Sequence, residues 1–184
     1  MTQTKNITQS FGIFFVAVAF YGLFYSLNDM LIQSLDELPG ANLFRLSSGI
    51  KLVLVLLLGW LGSAAIAVFC FGWTVLYVFP GDWVLSAEIA FAAGLVPLLL
   101  CYWFEQQLMP DLSGLTWQRL FQLSLCYATF NSIVRASIVY LHQPSADLAL
   151  SMVRLFSTDV LGIFSALYAL RLLVQRVDLP RSLP

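Results

Sequence analysis

Apolar residues run in long blocks along this chain, with polar residues gathered in short clusters between them. A bilayer core about 30 Å thick is crossed by about 20 apolar residues of helix, so each block reads as a candidate span. The first covers residues 11–27, behind a polar start that contains Lys5. A basic residue before an apolar stretch also opens a signal peptide, but no small-x-small pair closes this one. Asn28 and Asp29 follow instead, and the block reads as a retained first helix. An acidic segment with Asp36, Glu37 and the turn signal Pro39-Gly40 then leads into an apolar run from Ile50 to Phe79. That run is too long for one ordinary span and too short for two. Gly59-Trp60-Leu61-Gly62 sits where a tight hairpin divides it, which predicts a short helix over 46–58 and a second over 63–79. One long tilted helix is the alternative. A half-length helix is tolerated where protein or a wet cavity, not lipid, covers its end.

Pro80-Gly81-Asp82 closes that segment, and 85–104 forms the next helix, with Pro97 predicting a kink inside it. Residues 105–116, with Pro110 and Gly114, read as a loop; helices over 117–141 and 147–174 follow, separated by His142-Gln143-Pro144-Ser145. No repeat of fixed period is present. The expected fold is a single all-α domain over residues 1–184, a membrane bundle of six helices.

Composition narrows the function classes. Of 184 residues 60% are hydrophobic, 15% aromatic and only 10% charged, and the mean hydropathy is +0.85. A water-soluble surface takes roughly 25–35% charged residues, so a soluble enzyme, a nucleic-acid-binding module and a disordered chain are all excluded. The net charge of −1 leaves no basic face for nucleic acid. Cys70, Cys101 and Cys126 are odd in number, lie in apolar runs and lack metal-ligand spacing, so they read as small packing residues. No metal or cofactor is expected. Catalysis finds little support: the single histidine, His142, sits at a helix end, and Cys126 on the same helix is far from it.

Orientation follows from Lys and Arg at the helix ends. With both termini cytoplasmic, Lys5, Arg119, Arg171, Arg176 and Arg181 lie inside, against Arg45 alone outside with Asp29, Asp36, Glu37, Asp82 and Asp147. Trp83 then marks the outer interface, and Trp60, Trp103 and Trp117 the inner one. A multi-pass protein of a bacterial inner membrane is the expectation.

Lys51, Glu88, Arg135, Arg154 and Asp159 are ionisable residues inside the spans. Each costs about 2.5–3.5 kcal/mol at a helix centre and is kept where it pairs, snorkels or faces a cavity. In this topology all but Asp159, near mid-depth, fall in the outer half. On the fifth helix Ser124, Ala128, Asn131, Arg135 and His142 share a face; on the sixth, Asp147, Ser151, Arg154, Thr158, Gly162, Ser165 and Ala169 form a small-and-polar stripe, with Asp159 on its flank. If the stripes face each other, Arg135 and Arg154 turn toward one outward-opening space. Two readings stand together: Glu88 or Asp159 pairs with Arg135 or Arg154, or Lys51, Arg135 and Arg154, with Asn131, Glu88 and Asp159 nearby, line a pocket for a small anionic ligand.

The run Leu46-Ser47-Ser48-Gly49-Ile50-Lys51-Leu52, the aliphatic stretch to Gly59-Trp60, and Asp159-Val160-Leu161-Gly162 resemble the core of the bacterial membrane-associated sensor domain of the first class. The resemblance covers residues 41–173 and implies Gly49, Asp159 and Gly162 as core elements. Ser47-Ser48 stands where that family usually has proline, and no Trp-Pro follows the short helix. The resemblance implies a sensor-like core acting through a separate signalling partner. A six-helix chain with an outward pocket is also similar to the substrate-binding subunit of an energy-coupling-factor transporter, whose partner would be the transporter scaffold. A purely structural or assembly protein, with the charges as internal ion pairs, is the third alternative.

Overall fold

The computed structural model describes residues 2–35, 46–108, 117–142 and 148–176. Of the expected loops, residues 28–35 and 105–108 are helical, prolonging the first and fourth helices, while 36–45, 109–116 and 143–147, the tail from residue 177, and the side chains of Lys5, Arg119, Arg171, Arg176 and Trp117 lie outside the described residues. Asp36, Glu37, Arg45, Asp147 and Arg181 lie outside them as well.

The described residues form an all-helical bundle. Its helices are α1 (Thr2–Leu35), α2 (Leu46–Leu58), α3 (Trp60–Trp73), α4 (Trp83–Leu108), α5 (Trp117–His142) and α6 (Leu148–Arg176). A π-helical segment, Thr74–Val78, prolongs α3 and ends with the Phe79 amide bonded to the Thr74 carbonyl at 2.8 Å. Four stretches are long and apolar enough to cross a membrane: Gln9–Met30, Trp60–Val78, Trp83–Trp103 and Leu148–Leu170. The other two helices miss that standard for opposite reasons. The 13 residues of α2 reach about 20 Å, well short of a hydrocarbon core. The polar residues of α5, among them Ser124, Asn131, Ser132 and Arg135, dilute its apolar character.

The run from Ile50 to Phe79 is divided at Gly59, the hairpin rather than the single long helix. Gly59 has φ 57°, a left-handed conformation that glycine adopts without steric cost. The return is tight: a Cβ on Gly62 would lie 2.5 Å from the Leu54 carbonyl oxygen. The start of α2 is held from α1, where Asn28 Oδ1 accepts the Leu46 amide at 3.0 Å. At the opposite turn Asp82 Oδ1 accepts the Leu85 amide at 3.0 Å, an N-cap for α4 just after Gly81 with φ 88°. Helix α4 then runs unbroken through Pro97.

Helix α2 occupies the centre. Ser47 to Leu52, Leu54 and Val55 are all buried, so protein covers the half-length helix at its polar end. One apolar cluster joins Leu52 to Leu123, Tyr127, Ile163 and Leu167; another joins Ile50, Leu54 and Val55 to Tyr21, Ile66 and Ala93. The outer surface is the reverse of a soluble one. Phe11, Phe15, Phe91, Phe130 and Leu141 are exposed, as are Trp60, Trp83 and Trp103 at helix ends. Such a surface is stable only against hydrocarbon, so the bundle is of membrane type.

Two glycine-mediated crossings set the spacing. A Cβ on Gly49 would lie 2.5 Å from the Gly162 carbonyl oxygen, and one on Gly94 would lie 2.7 Å from the Ser63 carbonyl oxygen. The Ser63 hydroxyl also donates to the Gly94 carbonyl at 2.9 Å, tying α3 to α4. Replacing Gly49 with Val forces α2 and α6 apart. The expected loss is about 1–3 kcal/mol, seen as a lowered unfolding midpoint of the detergent-purified protein. Gly12→Val, where nothing lies within 4 Å of the added carbon, is the control and leaves the midpoint unchanged.

Candidate functional site

Asp159 is completely buried on α6, yet both carboxylate oxygens have donors. Ser48 Oγ on α2 donates to Oδ1 at 2.5 Å, and Asn131 Nδ2 on α5 donates to Oδ2 at 2.5 Å. The Gly49–Gly162 approach brings α2 close enough for the serine to reach. Asp159 therefore joins three helices, and the expected ion pair with Arg135 or Arg154 does not form among the described residues. Glu88 does not form one either: its carboxylate lies 3.8 Å from His142 Nδ1, an exposed pair linking the start of α4 to the end of α5.

The inward face of α6 differs from the expected one. Its buried residues are Asp159, Gly162, Ile163, Ala166 and Leu167, whereas Arg154 and Ala169 are exposed. Of the small-and-polar stripe only Gly162 is buried among the described residues, and Asp159 moves from its flank to the centre of the contact. The physical reason lies in the hydroxyls. Thr158 donates to the Leu155 carbonyl at 3.0 Å and Ser165 to the Leu161 carbonyl at 2.8 Å, both within α6. Each hydroxyl is satisfied by its own helix and needs no partner across the interface, but a carboxylate has no such local option.

Near this cluster lies a small polar cavity, at the end of the bundle where α2 and α4 begin and α3 and α5 end. It has a volume of about 30 Å³, and Ser47, Lys51 and Arg135 line it together with Tyr25, Trp73 and Thr74. Lys51 is only 4% exposed and Arg135 is half-buried. Among the described residues no acidic side chain lines the cavity. Arg135 makes no hydrogen bond or ion pair with the described residues, while Lys51 has a further interaction within the chain. The Thr74 hydroxyl is turned to the Cys70 carbonyl at 2.7 Å, and Tyr25, Phe69 and Trp73 make mutual ring contacts that stiffen one wall.

Of the residues singled out in the sequence, Lys51 and Arg135 meet at the cavity, while Asn131, Asp159, Gly49 and Gly162 meet at the helix junction. Arg154 and Glu88 belong to neither. Ser47 and Ser48, which the sequence marks only as standing where proline is usual, serve one at each place. Their adjacent positions on a buried helix start were the available signal. Buried Tyr127 Oη and Asn131 Oδ1 have no partner among the described residues, so this junction retains polar capacity beyond the Asp159 contacts.

A larger hollow, about 650 Å³, is an apolar groove between α4 and α5, lined by Phe91, Leu95, Phe130, Val134 and Glu88. Among the described residues that line it, Glu88 alone is charged and the rest are almost all apolar. The three cysteines are free, and no group of metal-ligating side chains occurs among the described residues. Cys126 and His142 are separated by sixteen residues of α5, about 24 Å, which removes a Cys–His pair.

Comparison with protein-family models, with curated proteins and with solved structures finds no match to this chain. The class the fold defines is therefore a membrane-type helical bundle with a polar junction and a cation-lined cavity at one end.

Asp159→Ala strips both donors of their acceptor in a buried site and is expected to cost about 1–3 kcal/mol of stability. Glu88→Gln, at an exposed pair, is expected to cost no more than about 1 kcal/mol. Unfolding midpoints of the two variants in the same detergent check the order: a larger loss for Glu88→Gln contradicts the central place of Asp159.

Proposed function

We propose that this chain is a small multi-pass module of a bacterial inner membrane. It binds a small anionic ligand in the cavity at its outer end and passes occupancy to a separate protein partner. The observation that carries this reading is the convergence of Lys51 and Arg135 on one cavity in whose lining no described residue is acidic. In surroundings this apolar, a half-buried guanidinium without a counter-ion among the described residues favours an anion strongly, because little water competes for it.

The route to a partner is supported by shared elements. Ser47 at the cavity adjoins Ser48 at the Asp159 junction, and Arg135 lies one helical turn beyond Asn131 on α5. An anion drawing Arg135 inward therefore acts on the same two helices that hold α6. This is the sensor-like reading, in which α6 carries the response toward the cytoplasm, with both termini cytoplasmic by the distribution of Lys and Arg. The transporter-subunit alternative fits less well, since the cation-lined cavity of about 30 Å³ does not admit a vitamin-sized substrate and the groove of about 650 Å³ is lined almost wholly by apolar side chains. A purely structural role is favoured by one observation, the complete use of both Asp159 oxygens inside the chain.

Thermal unfolding of the purified protein across a panel of inorganic and carboxylate anions, at constant ionic strength, separates these readings. At least one anion is expected to raise the midpoint, and Lys51→Met and Arg135→Gln are each expected to remove that rise while unfolding stays cooperative. If no anion moves the wild-type midpoint, the ligand reading fails and the structural one stands.

A further inference from the structure

We infer that the cavity is built for a single monovalent anion no larger than a halide or formate, held by Arg135, Lys51 and the Ser47 hydroxyl. This inference rests on the anion-binding reading above and adds size and charge to it.

Size comes first. A site of about 30 Å³ has room for a water or two, hence for a halide or a three-atom oxyanion, and not for a dicarboxylate or a phosphorylated metabolite. The walls resist expansion. Tyr25, Phe69 and Trp73 are locked in ring contacts at 5.3–5.9 Å between centroids, and Thr74 is pinned to the Cys70 carbonyl. Enlarging the site means breaking that aromatic packing.

Charge and donors come next. Arg135 offers up to five N–H donors and has no hydrogen bond or ion pair among the described residues. Ser47 is 3% exposed and lines the cavity, so its hydroxyl adds a neutral donor beside the two cations. The cavity also lies against the first turn of α2, where the helix dipole is positive. Lys51 has a further interaction within the chain, and Arg135 has no ion pair among the described residues. One negative charge balances it.

The test uses the full chain in detergent with gluconate, too large for the cavity, as the background anion. Chloride, bromide and formate are titrated against sulfate, succinate and citrate at equal ionic strength, and the unfolding midpoint is followed. The small monovalent anions are expected to raise the midpoint saturably and the larger ones to leave it unchanged. Arg135→Gln is expected to weaken the apparent affinity at least tenfold and Ser47→Ala several-fold, while Arg154→Gln, exposed and off the cavity, leaves it intact. If Arg135→Gln does not fold, Arg135→Lys keeps the charge but not the planar donor set, and is expected to bind more weakly than wild type. Stabilisation by succinate, citrate or sulfate alone, lost in the Arg135 variant, overturns the size and charge assignment and leaves the broader anion reading standing. Equal stabilisation by chloride in wild type and both Arg135 variants overturns the location. No response to any anion removes both.

Discussion

A carboxylate with no solvent exposure in the middle of an apolar bundle is the constraint around which this structure is organised. Asp159 cannot be left without donors, because an unsatisfied polar group in such surroundings costs several kcal/mol. Its own helix offers none, since the backbone amides of α6 are already used in the helix. The donors come from two other helices, Ser48 on α2 and Asn131 on α5. Three helices are fixed relative to one another by that requirement, and the rotation of α6 about its axis is fixed with them.

Small residues make the requirement reachable. Serine is short, so α2 and α6 must approach to backbone contact before its hydroxyl meets the carboxylate, and Gly49 opposite Gly162 permits that approach. The same device recurs between α3 and α4, where Ser63 bonds the Gly94 carbonyl. Between lipid-solvated helices there is little hydrophobic drive to associate, so close packing and a few hydrogen bonds carry the association. The hairpin at Gly59 serves the same end. It lets a half-length α2 lie at the centre, its polar start covered by its neighbours instead of lying in hydrocarbon.

Burying the start of α2 also creates the cavity. Ser47 and Lys51 enter the interior along with Ser48, and the bundle closes around them with Arg135 from α5 and an aromatic wall from α1 and α3. The polar junction and the cation-lined cavity are therefore two consequences of one placement. They share α2 and α5, so both are built on the same two helices that hold α6.

The class of the molecule was legible in the sequence. Blocks of about 20 apolar residues and so few charges leave a membrane-type helical bundle as the stable solution, and Pro80-Gly81-Asp82 and Gly59 are read as turns from local chemistry alone. The short list of intramembrane charges, Lys51, Glu88, Arg135, Arg154 and Asp159, also follows from the sequence, because hydrocarbon makes each of them costly wherever it sits. Their partners did not follow. Helical spacing places side chains on a common face but leaves open how that face is turned toward neighbours, and for α6 the small-and-polar stripe was the wrong guide. Thr158 and Ser165 can satisfy themselves on their own backbone, Arg154 can reach the surface, and Asp159 can do neither. Which helix supplies the missing donors, and which cations then share a cavity, depends on contacts between residues as distant in the chain as Ser48 and Asp159. Only the tertiary structure decides those, because they come from packing of whole helices and not from the period of any one of them.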